Sequence, residues 1–221
     1  MSHTNRLTRK QWEALATGVR QLCRVYWGPS VELCREMLEG TFFQPFGAIA
    51  GLIETGAGSD FDRLRTHLSD FSDPEALYAH LEEGYVRLFV NDRGGVAAPL
   101  YASCYEDAEN PHLMGAAAVR MQKLLLDLKI HISDDVGEPP DHLSIQLEAL
   151  YFLLTRQCQP AQPGGTQAAA DFTANQMLPW VRSFHRRLAD ETRFQFFPLI
   201  TGVLLSVLQT IAVLPETVPR Q

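Results

Sequence analysis

Apolar residues recur along this chain at the spacing of a helical face and nowhere alternate as a strand requires. Thr8 to Gln11 reads as a capping box ahead of Trp12, Leu15, Val19, Leu22 and Tyr26, and Gly28-Pro29 stops that helix. Ser30 is placed to cap a short second helix carrying Leu33, Cys34, Met37 and Leu38, ended by Gly40. Residues 42–53 form another apolar segment. The glycine-rich residues 55–59 read as a loop, and residues 60–68 as a further helical turn or two. Ser72-Asp73-Pro74-Glu75 is the clearest helix start, with serine as cap, glutamate three residues on and proline in the first turn. Leu77, Tyr78, Leu81, Tyr85, Leu88 and Phe89 continue from it on one face.

Paired glycines in residues 91–99 break that pattern, and residues 100–105 form a short aromatic piece. Asn110-Pro111 is expected to open the next helix, lined by Leu113, Ala117, Met121, Leu124, Leu125 and Leu128. Glu138-Pro139-Pro140-Asp141-His142 then forbids helix, because proline lacks the backbone N–H and pushes its predecessor toward extended conformations. Leu143, Leu147, Leu150 and Leu154 mark a helix beyond it. Residues 159–165 read as an exposed loop, and residues 167–177, 179–188 and 196–213 as helices. The pattern predicts an all-α globule of roughly ten helices. It is a single domain over residues 1–221, with helical lobes 1–130 and 143–221 joined by a hinge-like loop, 131–142.

One helix needs separate treatment. Residues 198–215 are apolar over nearly the length of a bilayer span, but they include Gly202, Ser206, Gln209 and two threonines between flanking prolines. A buried central helix is the expectation, and not an integral membrane segment.

Composition agrees with this picture. Hydrophobic residues make up 46% and charged residues 20%, as in an ordinary soluble globular protein. A formal net charge of −7 argues against a nucleic-acid partner and suits a basic peptide. Cys23, Cys34, Cys104 and Cys158 are scattered without the spacing of a metal or disulfide scaffold, and read as buried reduced thiols. Residues 1–11 lack the apolar core of a signal peptide. Arg186-Arg187 lies inside an amphipathic segment, where it cannot act as an export signal.

Chemical motifs are few. Gly94-Gly95 has neither the flanking pattern nor the lysine of a phosphate loop, and no nucleophile elbow or zinc-protease motif occurs. The seven histidines show no ligand spacing, so no metal site and no cofactor are expected. Asp141-His142 admits two readings: a helix cap with an early helical residue, or a working acid–imidazole site.

Three stretches together resemble the TorD/DmsD family: Tyr85-x-x-Leu88-Phe89, then Pro99-x-Tyr101-x-Ser103-x-Tyr105, then Glu138-Pro-x-Asp141-His142 ahead of a leucine-rich helix. Leu178-Pro179-Trp180 followed by Phe184 is similar to a later segment of that family. The resemblance runs over residues 72–188, and the first seventy residues share only helical character. Family members often carry tryptophan where Tyr85, Tyr101 and Tyr105 stand.

The resemblance implies a cytoplasmic chaperone for a molybdenum-cofactor oxidoreductase. Such a protein binds the client's twin-arginine signal peptide and delays export until the cofactor is inserted and the client has folded. It implies binding without catalysis, hence no catalytic residue. It also implies a peptide site formed by Tyr85, Leu88, Phe89, Pro99, Tyr101, Ser103, Tyr105, Glu138, Asp141 and His142. Leu88, Phe89, Pro99 and Tyr101 would supply an apolar groove, Glu138 and Asp141 would meet the arginines, and His142 would orient Asp141 or donate to the peptide. The chain would be a monomer or a dimer that swaps a lobe. Two alternatives stay open: an assembly factor holding the client's folded domain, and a helical hydrolase or nucleotide-dependent enzyme using Asp141-His142.

Overall fold

The capping box at Thr8 forms: its hydroxyl accepts the Gln11 N–H at 3.3 Å, and the Gln11 side chain accepts the Thr8 N–H at 2.8 Å. It opens α1 (Arg9–Trp27), which ends at Gly28 with φ of +118°, a conformation L side chains rarely adopt. The structure, a computed structural model, describes residues 7–53, 56–90, 95–106, 112–133, 135–156 and 165–214. Ser30 caps α2 (Val31–Leu38), accepting the Leu33 N–H at 3.1 Å. A 3-10 turn, Thr41–Phe43, leads into the short α3 (Gln44–Ala48).

Three boundaries differ from the sequence reading. α4 (Gly56–Leu68) takes residues 56–59 into the helix, because packing against the C-terminal helix overrides the weak propensity of glycine. α5 (Pro74–Tyr85) is capped by Asp73 and not by Ser72: the Asp73 carboxylate accepts the Ala76 N–H at 2.8 Å. α6 (Ala116–Leu128) starts later than Asn110-Pro111, which lie outside the described residues. Met114, at φ 61°, cannot be part of a right-handed helix, so Leu113 stays off it and 52% exposed.

α5 runs on into a π-helical turn, Val86–Val90. Beyond residues 131–142 come α7 (Leu143–Arg156) and α8 (Gly165–Phe172), and a second π turn, Thr173–Met177, leads directly into α9 (Leu178–Leu188). The loop expected over residues 159–165 falls mostly outside the described residues, and Gly165 is already helical. The ten α-helices and the absence of strands among the described residues make the fold all-α, as expected.

α10 (Phe196–Ala212) is the central helix the composition predicted. Leu199, Ile200, Val203, Leu204, Val207, Leu208 and Ile211 are all buried. Its hydroxyls are satisfied internally: Thr201 donates to the Phe197 carbonyl at 2.6 Å, and Thr210 to that of Ser206 at 2.9 Å. No helix among the described residues is long and apolar enough to cross a membrane. α10 packs on α4, α9 and α1, while α1 lies along α7. Elements from both sides of residues 131–142 therefore share one buried cluster. Cys23, Cys34 and Cys104 are buried and free; Cys158 lies outside the described residues.

Candidate functional site

Two irregular segments meet on the flank of α7. Leu143 donates its N–H to the Leu100 carbonyl at 2.8 Å and Ala102 its N–H to that of Asp141 at 3.2 Å, an antiparallel bridge pairing Tyr101 with His142. A proline-bearing segment cannot sustain a longer ladder, so pairing stops there and a 3-10 turn, Ala102–Tyr105, follows. The bridge joins residues 41 positions apart in the chain, one from each motif.

Asp141 is fully buried, 0% exposed. Its Oδ2 accepts both the Ser103 N–H at 2.8 Å and the Ser103 hydroxyl at 2.6 Å. The Ser103 oxygen in turn accepts the Gly115 N–H at 3.0 Å. Gln146 donates to the Asp141 carbonyl at 2.9 Å and accepts the Trp180 indole N–H at 3.1 Å. Asp141 is therefore not the cap of α7. That role passes to His142, whose Nδ1 accepts the Ser144 N–H at 3.2 Å. A carboxylate that must hold a neighbouring turn cannot also face its own helix. The Asp141 Oδ1 atom is buried without a partner among the described residues.

The His142 imidazole lies between two rings, stacked on Trp27 at 5.3 Å and 19°, and edge-on to Tyr101 at 5.2 Å and 68°. Burial lowers its pKa from the usual imidazole value, against the opposing pull of Glu138 and Asp141. Tyr101 donates its hydroxyl to Glu138 at 2.6 Å; burial first, then that hydrogen bond and charge, raise the phenol. Tyr85 donates to the Tyr26 carbonyl at 2.9 Å and is pushed up to about 12 by burial, with the Glu138 charge adding to it. Tyr105 donates to the Pro99 carbonyl at 2.8 Å, closing the loop on itself.

The ten residues expected to form a site separate into layers. Tyr101 and Glu138 lie half-buried at the surface, with Tyr85, Pro99 and Tyr105 similarly placed. Ser103, Asp141 and His142 lie beneath them. Leu88 and Phe89 correct the expectation of a groove: they are 3% and 4% exposed. Phe89 packs on Tyr26, Phe184 and Phe197 at centroid distances of 6.4, 5.8 and 5.0 Å. They are core, continuing the buried face that Leu77 and Leu81 open on α5.

Sequence reasoning missed Trp27 and Glu148. The Trp27 indole donates to Glu148 Oε1 at 2.9 Å beside His142. Trp27 falls off the apolar face of α1, and Glu148 is the only acidic residue of α7; these were the available signals. Arg186 and Arg187 lie on the exposed last turn of α9, where Arg187 covers the Tyr105 ring at 4.5 Å and the two line a depression of about 300 Å³ with Ser183.

Chemically, this arrangement locks two segments of the chain together. Ser103 donates directly to a carboxylate with no imidazole between them, and its oxygen is already an acceptor. No group of three or more potential metal ligands occurs among the described residues.

Residues 52–186 match the family model described as the nitrate reductase delta subunit. The chaperone protein TorD of Vibrio cholerae serotype O1 (strain M66-2) is 26% identical over 195 residues, covering 84% of this chain and 87% of that protein. The chaperone protein TorD of Aliivibrio salmonicida (strain LFI1238) is 28% identical over 200 residues, covering 86% and 92%. A crystal structure described as a redox enzyme maturation protein, from Archaeoglobus fulgidus, aligns with a TM-score of 0.54 at 18% identity over 92% of this chain and 98% of that one, a shared fold. With its motifs joined at the Tyr101–His142 bridge and more than half its length matched, the chain belongs to the nitrate reductase delta subunit family, the family of TorD-like redox enzyme maturation proteins.

Proposed function

We propose that this chain is a cytoplasmic chaperone for the maturation of a molybdenum-cofactor oxidoreductase. It binds the client's twin-arginine signal peptide around Tyr101, Glu138 and His142 and delays export until cofactor insertion and folding are complete. The observation that carries this reading is the Tyr101–His142 bridge, which places a surface carboxylate, an aromatic rim and a proline loop side by side. A basic pair followed by an apolar run needs that combination. Glu138 meets a guanidinium, while Tyr85, Pro99, Tyr101 and Tyr105 offer apolar area. Ser103 and Asp141 act as positioning residues through the loop they lock. Binding needs no turnover and no cofactor of the chaperone's own.

The neighbouring reading frames identify the client: a large oxidoreductase subunit with an N-terminal twin-arginine signal. Calorimetry with that peptide compares the native chain with Glu138→Gln, Asp141→Ala and His142→Ala. Weakened binding is expected in each, and unchanged affinity in all three removes the site.

A second contact, with the client's folded part, is favoured by an apolar strip on and before α6, where Leu113, Met114, Val119 and Leu126 are 52–65% exposed. Binding that survives deletion of the signal peptide would identify it as the main one. Size-exclusion chromatography with light scattering distinguishes the monomer from a dimer exchanging lobes about residues 131–142.

A further inference from the structure

Trp27 stands out among the tryptophans. Trp12 and Trp180 are buried, whereas Trp27 is 37% exposed at the end of α1. An exposed indole normally moves, but this one is held twice. His142 covers one of its faces at 5.3 Å, and Glu148 takes its N–H at 2.9 Å. With both contacts made, 37% of the residue is still exposed. Glu148 Oε2 takes no hydrogen bond from a described residue, and Glu148 forms no ion pair among them. Arg20 lies over the Tyr151 ring at 5.8 Å. The result is a fixed aromatic plate with a carboxylate oxygen at its edge that no described residue engages, in a chain of net charge −7.

We propose that Trp27 and Glu148 form a second arginine subsite of the peptide site, beyond the one at Glu138. A planar guanidinium stacks on the face of Trp27 opposite His142 and donates to Glu148, a pairing that a lysine ammonium cannot reproduce. The row Glu138–Tyr101–His142–Trp27–Glu148 then carries a carboxylate at each end, each already held by an aromatic donor, one for each arginine of an adjacent pair. Fixing both carboxylates and the indole before the peptide arrives lowers the ordering cost of binding. The inference rests on the peptide-binding reading above and specifies how that site tells arginine from lysine.

The test uses the full chain and two synthetic peptides, one with an Arg-Arg pair ahead of a run of leucines and one with Lys-Lys in its place. Calorimetry is expected to show a preference of roughly tenfold or more for the Arg-Arg peptide, the scale of a stacked, charge-assisted contact. Glu148→Gln and Trp27→Leu should each erase most of that preference, lowering affinity for the Arg-Arg peptide by a larger factor than affinity for the Lys-Lys peptide. Bound Arg-Arg peptide should also protect the native chain's exposed tryptophan from acrylamide quenching. Circular dichroism confirms that each variant is folded; if Trp27→Leu is not, Glu148→Gln and the quenching measurement decide. A preference that survives Glu148→Gln, or quenching unaffected by bound peptide, overturns the subsite. If in that case Glu138→Gln still weakens binding, the peptide-binding reading stands without it. If the native chain binds neither peptide, that reading fails and the subsite with it.

Discussion

The buried pair Asp141–Ser103 shows how one residue can matter to a surface it never reaches. Two donors of Ser103 converge on a single carboxylate oxygen in a space without exposure. Replacing Asp141 by alanine leaves both donors without their acceptor, so the loss should reach about 2–4 kcal/mol. Ser103→Ala keeps the N–H bond to Asp141 but removes both the hydroxyl donor and the acceptor of the Gly115 N–H, so it should cost about 1–3 kcal/mol. Urea denaturation measures both. An Asp141→Ala loss below about 1 kcal/mol would mean that the carboxylate does not lock the loop. His67 and His80 pose a different residue-scale question: each has a buried Nε2 without a partner among the described residues, in an aromatic row with Phe71 and Phe194. Burial lowers both pKa values, and each neutral ring is what the fold accepts. The unfolded chain takes up protons first, so stability is complete above the ordinary imidazole value and is lost as pH falls through it toward the folded values. Melting temperatures followed from pH 7.5 to pH 5 should decline, and His67→Leu with His80→Leu should flatten the decline.

Among the helices, α5 carries the most informative glycine. Gly84 has ordinary helical geometry, yet a Cβ there would stand 2.8 Å from Phe194 and 2.9 Å from Phe197 ring atoms. Helix propensity alone predicts that Gly84→Ala stabilises by about 1 kcal/mol. Overpacking against two buried rings costs about 1–3 kcal/mol and should win. A lowered melting temperature is the expected outcome, and a raised one would show that Phe194 yields. The start of the same helix tests the cap: Asp73→Ala should cost about 1 kcal/mol and Ser72→Ala close to nothing, read by chemical denaturation. The sequence pattern pointed to Ser72 as the cap; the extended backbone at Asp73, φ −142° and ψ 153°, moves that role to the next residue. The π turn after α5 had no signature, since Leu88 and Phe89 continue the helical spacing without interruption.

For the molecule as a whole, the amino-acid order by itself determined the all-α class, most helix ends with a proline, glycine or capping hydroxyl, the burial of α10, and the three motifs of the family. Those depend on spacing, backbone chemistry and composition, which are local properties of a string. Only the tertiary structure decided what the motifs do together. Tyr101 and His142 meet through a single bridge because α7 and the proline loop pack side by side, and no periodicity encodes that pairing. The same packing turned Leu88 and Phe89 from groove to core, made Asp141 a lock on Ser103, and brought Trp27 and Glu148, 121 residues apart, into hydrogen-bond contact beside His142. Contacts between segments distant in the chain arise from which faces are buried against each other, and that is a property of the assembled core.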